Sequence, residues 1–282
     1  MYCWDLPDSV GKILPAIKIS GNNGLVWGMI GAAMARLSVN VNKIATLRNT
    51  RNNGIPDIVR LSAIALNAGA DGITVHPRPD ERHIRSADVD AIARLLKEHP
   101  RAEYNIEGNP FHGLVEHCER VRPDQATLVP DANDAPTSNQ GWDLAGLTGE
   151  TRGALAAAIA RLHACGCRVS LFVDPIVEMP KLAKELGADR VELYTEPYAD
   201  AFVQGNVEPS VRTYAATATA AHAVGLGVNA GHDLNLHNLR LFLGRVWPVD
   251  EVSIGHALIA DALELGLAET VRRYRVLGAS AR

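Results

Sequence analysis

The chain has 282 residues, of which 47% are hydrophobic, and a formal net charge of −4. This composition supports a sizeable core, and no block of Lys or Arg offers the positive surface that nucleic acids or membrane surfaces require. No run approaches the roughly 18 apolar residues of a membrane span. We therefore expect a cytoplasmic protein that binds small molecules and has neither a nucleic-acid nor a membrane partner.

The first 36 residues stand apart from the rest. The apolar run Leu25–Ala35 resembles part of a secretory signal, but two aspartates precede it and two glycines interrupt it, whereas a signal needs a basic start and an unbroken apolar centre. Met34 lies three residues before the first convincing strand. We predict that residues 1–36 are an N-terminal extension that need not be native, with Met34 as a candidate start, and that residues 37–282 form one catalytic domain.

Apolar runs rich in β-branched residues predict eight strands. They are Leu37–Asn42, Gly72–His76, Ala102–Glu107, Gln125–Pro130, Arg168–Asp174, Arg190–Tyr194, Leu226–Asn229 and Glu251–His256. Ala- and Leu-rich segments between them have helical periodicity: Pro56–Ala68, Ser86–Glu98, Gly153–Ala164, Val177–Leu186, Pro209–Val224 and Ala257–Leu277.

Glycines repeatedly stand between a predicted helix and the next strand, the position of a left-handed C-cap: Gly69, Gly166, Gly187 and Gly225. Eight β-then-α units in about 245 residues fit an α/β protein with a closed (β/α)₈ barrel. A doubly wound sheet is the alternative. The even number of units and the lack of an early Gly-x-Gly-x-x-Gly favour the barrel.

Titratable side chains stand at the ends of three predicted strands: His76, Glu107 and His232. In a barrel the carboxyl ends of the strands share one face, so residues distant in sequence converge there. Two imidazoles and a partly desolvated carboxyl are suited to repeated proton transfers at neutral pH. Alternatively, each histidine could be satisfied by backbone carbonyls at the barrel rim, and Glu107 could form a structural bridge with Arg78.

Hydrogen-bond donors suited to phosphate follow the first and second strands and open the last helix. Arg51, Arg78 and His83 offer side-chain donors. The Gly255-His256 step offers the backbone N–H groups and dipole of a helix N-terminus. Two donor clusters predict two phosphorylated groups, although Arg51 and His83 could be solvated loop residues and Gly255 a turn glycine.

The histidine and cysteine spacings predict no metal site. No His-x-x-x-His or Cys-x-x-Cys pair occurs, although histidines from opposite strands can bind zinc in barrels. Cys165 and Cys167 are predicted to be reduced thiols in a helix-to-strand turn. We interpret four histidines on predicted helices as surface or packing residues: His112, His117, His163 and His222.

From about Leu37 to the C-terminus the chain resembles the pyridoxine 5′-phosphate synthases, transferases that close the ring in vitamin B6 biosynthesis. The matching stretches occur in the family's order: Val39–Arg51, Gly69–Arg78, Arg82–Ile84, Asn105–Glu107, Leu128–Pro130, Val169–Asp174, Tyr198–Asp200, Asn229–His232 and Ile254–His256. The resemblance implies condensation of 1-deoxy-D-xylulose 5-phosphate with 3-amino-2-oxopropyl phosphate, giving pyridoxine 5′-phosphate, inorganic phosphate and water without a cofactor. It also implies a barrel with extra helices and a homo-octamer.

The resemblance assigns roles residue by residue. The positions matching catalytic acid–base groups are His76, Glu107 and His232. Those matching aminoketone-phosphate contacts are Asn40, Arg51, Asp233, Gly255 and His256, and those matching deoxyxylulose-phosphate contacts are Asn42, Lys43, Arg78, His83 and Thr137.

Two positions depart from the family pattern and leave substrate contacts open. Asn42-Lys43 stands where many members have Asp-His, and Lys43 cannot reproduce the acid–base behaviour of an imidazole. Asp233 stands where a glycine is often found. Two other functions remain as alternatives: a Schiff-base aldolase or lyase acting on a phosphosugar, which would need a lysine such as Lys43 in the barrel, and a non-catalytic phosphosugar-binding barrel.

Overall fold

Eight parallel strands close into a barrel in the computed structural model, which describes residues 34–51, 53–131 and 138–280. The strands pair in chain order, and β1 pairs with β8 to complete the ring. They are β1 Arg36–Asn40, β2 Gly72–Val75, β3 Glu103–Gly108, β4 Gln125–Leu128, β5 Arg168–Val173, β6 Arg190–Leu193, β7 Gly227–Ala230 and β8 Glu251–Ile254. The predicted barrel is confirmed. The predicted extension lies, through residue 33, outside the described residues.

Eleven helices within these ranges connect or follow the strands. They are α1 Asn42–Asn49, α2 Ile58–Asn67, α3 Ser86–Leu96, α4 Leu114–Val121, α5 Gly149–Ala164, α6 Met179–Glu185, α7 Glu196–Val203, α8 Val207–Ala223, α9 Leu239–Arg245, α10 His256–Leu265 and α11 Leu267–Ser280. None of them combines the length and the apolar run that crossing a bilayer would require.

Three local predictions were wrong. Strand β1 stops at Asn40, and Asn42, which was predicted to end that strand, opens helix α1 instead. The predicted single helix Ala257–Leu277 is two helices, because the chain turns at Gly266 with φ +79°. His112 lies in the turn before α4 rather than on a helix. The glycines predicted as C-caps do adopt positive φ: Gly69, Gly166, Gly187 and Gly225.

The strands alternate between an apolar outer face and a polar inner face. Their apolar residues, such as Val39, Ile73 and Leu171, are fully buried in the one large hydrophobic cluster that the strands form with the surrounding helices. Burying such a side chain stabilises the fold by about 1.5–3 kcal/mol. This layer holds the helices on the barrel and fixes the direction in which each strand end points.

Inside the barrel, several polar side chains form hydrogen bonds and ion pairs with one another. Ser38 and Ser253 both hydrogen-bond to Thr74, at 2.7 and 3.1 Å between hydroxyl oxygens. Towards the amino ends of the strands, Arg36 and Arg168 both pair with Glu103. Many barrels fill this space with branched apolar residues. Here the polar interior leads directly to the face where the predicted site lies.

The predicted thiols agree with the structure. Cys118 and Cys167 are buried free thiols and Cys165 is half-buried. Sγ of Cys165 lies 3.6 Å from Sγ of Cys167 in the turn between α5 and β5.

Candidate active site

A cavity of about 350 Å³ opens at the carboxyl ends of the strands. It brings together all but two of the predicted site residues: Asn40, Asn42, Lys43, His76, Arg78, His83, Glu107, His232, Asp233, Gly255 and His256. Arg51 is exposed and does not line this cavity. Thr137 lies outside the described residues.

Two asparagines organise the floor of the cavity. Asn40 Nδ2 donates to Glu107 Oε2 at 3.3 Å, and Asn40 Oδ1 accepts the backbone N–H of Asn42 at 3.0 Å. Asn42 Oδ1 in turn accepts the backbone N–H of His76 at 2.9 Å. Because β1 ends at Asn40 and α1 begins at Asn42, one short turn fixes the positions of both His76 and Glu107.

His76 and Glu107 face each other, with 4.0 Å between Nδ1 and Oε2. Burial and the charges of Arg78, His83 and Arg82 hold the pKa of His76 well below its ordinary value. Burial and the charges of Glu192, Asp131 and Glu251 raise the pKa of Glu107 well above its ordinary value. The pair therefore consists of an imidazole that is neutral at neutral pH and a carboxyl that keeps its proton to a higher pH than an ordinary glutamate does.

His83 is also held neutral. Burial, followed by the charges of Arg78 and Lys43, lowers the pKa of His83 to about 4. Its Nδ1 accepts the backbone N–H of Ile84 at 2.9 Å, which assigns the ring proton to Nε2. His83 can therefore offer a neutral N–H donor to an anionic ligand.

Arg78 is buried and forms an ion pair with Asp131, which also accepts the Ser138 hydroxyl at 2.6 Å. The bridge weighed for Arg78 from the sequence had Glu107 as its partner, so that alternative was wrong. Because the guanidinium carries several N–H donors in a fixed fork, an Arg held by one carboxylate can still present others to a phosphate.

Two glycines leave room at the ends of β7 and β8. A Cβ added at Gly231 would lie 2.1 Å from the carbonyl oxygen of Ser253, and one at Gly255 would lie 3.2 Å from the side chain of Asn40. Gly255 is also the N-cap of α10, whose first turn lines the cavity with His256 and Ala257. The unpaired N–H groups of a first helical turn favour an anion there.

His232 and Asp233 form a close pair at the end of β7, with 2.9 Å between Nδ1 and Oδ2. Burial alone lowers the pKa of His232, but the hydrogen bond and charge of Asp233, with the charges of Glu196 and Glu192, outweigh burial and raise it. The hydrogen bond from His232 holds the pKa of Asp233 below its ordinary value. At this end of the cavity the imidazole therefore holds its proton to a higher pH than an ordinary histidine does.

The sequence-based prediction missed two cavity-lining carboxylates, Glu192 and Glu196. Glu192 is buried on β6, and burial together with the charge of Glu251 raises its pKa to about 8. Glu196 opens α7 directly after that strand. The strand pattern could have revealed Glu192, since it alternates with the outward-facing Val191 and Leu193.

One trio within the described ranges has spacing that a cation could use. Potential ligand atoms of Glu196, His232 and Asp233 all lie within 4.8 Å of one another. Because Nδ1 of His232 is already hydrogen-bonded to Asp233, we interpret the trio as an acid–imidazole cluster.

Comparison with known proteins gives a consistent result. The family described as pyridoxal phosphate biosynthesis protein PdxJ matches residues 37–279. A relative from Porphyromonas gingivalis named pyridoxine 5′-phosphate synthase is 52% identical over 242 residues, covering 86% of this chain and 98% of that protein. Relatives of the same name from Albidiferax ferrireducens and Xanthomonas campestris pv. campestris are 52% and 53% identical, covering 85% and 84% of this chain and 95% and 94% of their own.

Solved structures of much lower identity share the barrel. A 3-keto-L-gulonate-6-phosphate decarboxylase from Vibrio cholerae matches with a TM-score of 0.58 at 13% identity, covering 89% of this chain and 100% of its own. A tryptophan synthase from M. tuberculosis matches with a TM-score of 0.57 at 12% identity, covering 89% and 94%. At such low identity these likenesses support the fold alone.

Proposed function

The chain belongs to the PdxJ family of pyridoxal phosphate biosynthesis proteins, and we propose that its cavity carries out the family's ring closure. The reaction condenses 1-deoxy-D-xylulose 5-phosphate with 3-amino-2-oxopropyl phosphate and yields pyridoxine 5′-phosphate, inorganic phosphate and water. The observation that carries the proposal is the convergence of His76, Glu107 and His232 on one cavity that also offers anion donors.

The three acid–base groups differ in how strongly they hold a proton, and this difference suggests a role for each. His76, uncharged at neutral pH, is suited to accept a proton, and His232, favoured as an imidazolium, is suited to donate one. Glu107 holds its proton more tightly than an ordinary carboxyl, and it must release that proton before it can act as a base. A substrate ammonium group beside Glu107 would lower its pKa and favour that release.

The reaction begins when the substrate amine attacks the sugar ketone and forms an imine between the two substrates. Proton transfers then assist the departure of water and phosphate, and an aldol-type closure produces the aromatic ring. Aromatisation supplies the driving force. His76 and Glu107 take protons in these steps and His232 assists departing oxygens.

Two groups of donors support recognition of the two phosphates. Arg78, His83 and Lys43 lie on one side of the cavity, and the first turn of α10 with Gly255 and His256 lies at the end of β8. Asn40 and Asn42 hold the turn between them. For Arg51 and Thr137, the contacts stay a proposal from the resemblance.

The decisive experiment is a turnover assay with both phosphorylated substrates and a chelator. We expect pyridoxine 5′-phosphate, detected by absorbance and mass, from the wild type and none above background from Glu107→Gln, which keeps the shape of the side chain and removes its titratable proton. Glu178→Gln, at an exposed carboxylate that does not line the cavity, is the matched control. No product from folded wild-type protein would overturn the assignment.

Lys43 allows a direct test of the Schiff-base alternative. It is the lysine that lines the described cavity, but it is exposed, whereas Schiff-base lysines are commonly activated by desolvation or a neighbouring cation. Borohydride treatment with substrate should leave no adduct on Lys43. A trapped adduct that disappears in Lys43→Met but not in the exposed control Lys181→Met would favour an aldolase or lyase instead.

The resemblance also leads us to propose a cytoplasmic homo-octamer. Exposed large apolar side chains, including Val203 and Leu263, offer surface for contacts between copies. Light scattering should give a mass about eight times the 30.3 kDa of the chain. A monomeric mass at working concentration would contradict the octamer without affecting the assignment of the reaction.

A further inference from the structure

Two carboxylates flank the imidazole of His232 on one side of the cavity. Asp233 Oδ2 lies 2.9 Å from Nδ1 of His232, and Glu196 reaches the same cluster from the first turn of α7. His232 retains 28% exposure of its side chain and Asp233 retains 36%. The pair is therefore partly shielded from solvent while remaining open to a ligand in the cavity.

The backbone holds Asp233 in an unusual conformation. Its φ is +62°, in the left-handed region that residues with a side chain seldom adopt and a glycine adopts at little cost. The side-chain amides of Asn235 and Asn238 donate to its carbonyl oxygen at 3.3 and 3.1 Å. The Thr195 hydroxyl donates to the carbonyl of His232 at 2.5 Å. These bonds fix both residues and aim the carboxylate at the imidazole.

The charges around His232 come from several elements. Glu192 on β6 and Glu196 on α7 add negative charge, and the ring of Tyr194 packs against the imidazole with 5.4 Å between centroids. Positive charge acts on Asp233 from Lys43 on α1, and from His256 on α10 whenever that imidazole is protonated. Asp233 is thus acted on by the positive charge of His232 and by that of other cavity residues.

We propose that Asp233, assisted by Glu196, is a positioning residue that holds His232 as an imidazolium, so that His232 enters each turnover as the proton donor. This inference rests on the proposed function for the identity of the reaction. It also gives the carboxylate at position 233 a purpose that phosphate binding does not, since a carboxylate repels a phosphate.

The geometry assigns the transferred proton to Nε2, because Nδ1 is committed to Asp233. As a substrate C–O bond breaks, its electron pair goes to the departing oxygen and the Nε2 proton is transferred to that oxygen. His232 is left as a neutral imidazole whose Nδ1–H still donates to Asp233. The pairing fixes the tautomer throughout, as an acid–imidazole pair does in other enzymes.

A titration of the full chain without substrate tests the pairing. Ring resonances of His232, assigned with a His232→Gln variant, should titrate at a lower pH in Asp233→Asn than in wild type, by about one unit. Asp233→Gly, which suits the positive φ, should show the same shift, and Glu196→Gln a smaller one. Asp200→Asn, an exposed carboxylate on the same helix as Glu196, should leave the midpoint unchanged.

The same variants should alter turnover in a specific way. In Asp233→Asn the alkaline limb of kcat should move to lower pH by the same amount as the midpoint, with about a tenfold loss at pH 8 and little change in KM. An unchanged His232 midpoint in both Asp233 variants would overturn the inference. A shifted midpoint in a protein that makes no product would instead overturn the proposed function, because the titration requires no turnover.

Discussion

The imidazole of His76 faces the carboxyl of Glu107 with 4.0 Å between Nδ1 and Oε2, and burial favours the uncharged form of both. This distance exceeds a hydrogen bond, so the two groups do not neutralise each other directly. A reacting atom within reach of both groups meets a neutral imidazole that can accept a proton and a carboxyl whose affinity for its proton is raised. The pair is therefore suited to moving a proton to or from that atom.

We predict that His76 and His83 are neutral at pH 6 while His232 is charged. Burial lowers the pKa of His76 well below its ordinary value and that of His83 to about 4, whereas the Asp233 pair raises that of His232. Ring NMR on samples with single His→Gln assignments would distinguish them. If His76 and His83 titrated near 6.5, the electrostatic description of the cavity would be wrong.

The same pKa shifts make the protein sensitive to acid. The unfolded chain binds protons at histidines near pH 6.5, whereas folded His76 and His83 do not. Stability contributed by their neutral state is therefore present above about pH 6.5 and is lost as pH falls below it. Urea unfolding should show a decline from pH 6.5 to 5 that is smaller in His83→Gln.

We predict that Arg48 is structural. Both terminal guanidinium nitrogens of Arg48 donate to Asp88, at 2.5 and 2.8 Å, and the pair is buried between α1 and α3. Arg48→Met would leave a buried unpaired carboxylate and should cost about 3–5 kcal/mol in free energy of unfolding. Arg152→Met, which breaks a more exposed pair, should stay within about 1 kcal/mol of wild type. Equal losses of unfolding free energy in the two variants would contradict the prediction that Arg48 is structural.

The barrel could be predicted from sequence because its signals are local. β-branched runs give the strands, and glycines such as Gly166 mark the turns between helices and strands. The polar residues at the strand ends were identifiable for the same reason: Asn40 and Glu107 interrupt apolar runs where a packed strand has no use for them.

The site features that could not be predicted from the sequence are those whose positions are set by tertiary structure. Arg51 was expected at a phosphate, but it follows a helix the sequence did not reveal and lies exposed outside the cavity. Glu192 could have been found from its place in an apolar strand, but only the closed barrel shows that it faces the same cavity as Glu107. The choice of Asp131 as the partner of Arg78 likewise requires the closed ring.

We predict unequal effects for alanine at three glycines. A Cβ at Gly231 would overlap the carbonyl oxygen of Ser253, which is backbone and cannot move aside, so Gly231→Ala should destabilise the protein and abolish turnover. At Gly255 the added Cβ meets a side chain at 3.2 Å, so we expect a folded protein with a raised KM.

Gly153 provides the matched control for these substitutions. It lies within α5, and an added Cβ meets nothing within 4 Å. Gly153→Ala should leave kinetics unchanged and stabilise the protein by about 0.5–1 kcal/mol, because alanine loses less backbone freedom on folding. Thermal unfolding and steady-state rates measured on all three variants would separate steric overlap of the added Cβ from the effect that a Gly→Ala substitution has at an open site.

The last prediction concerns Glu192. Burial and the neighbouring charge of Glu251, only partly opposed by His232 and Thr127, raise its pKa from 4.5 to about 8. The folded protein therefore keeps a proton that the unfolded chain releases, and the stability this contributes is fully present below about pH 4.5 and lost as pH rises towards 8. Glu192→Gln is uncharged at every pH. Its stability relative to wild type should therefore improve between pH 5 and pH 8, by on the order of a few kcal/mol at most. Glu178→Gln, at an exposed site outside the cavity, is the control. A stability difference for Glu192→Gln that stays constant with pH would mean that Glu192 is ionised in the folded barrel.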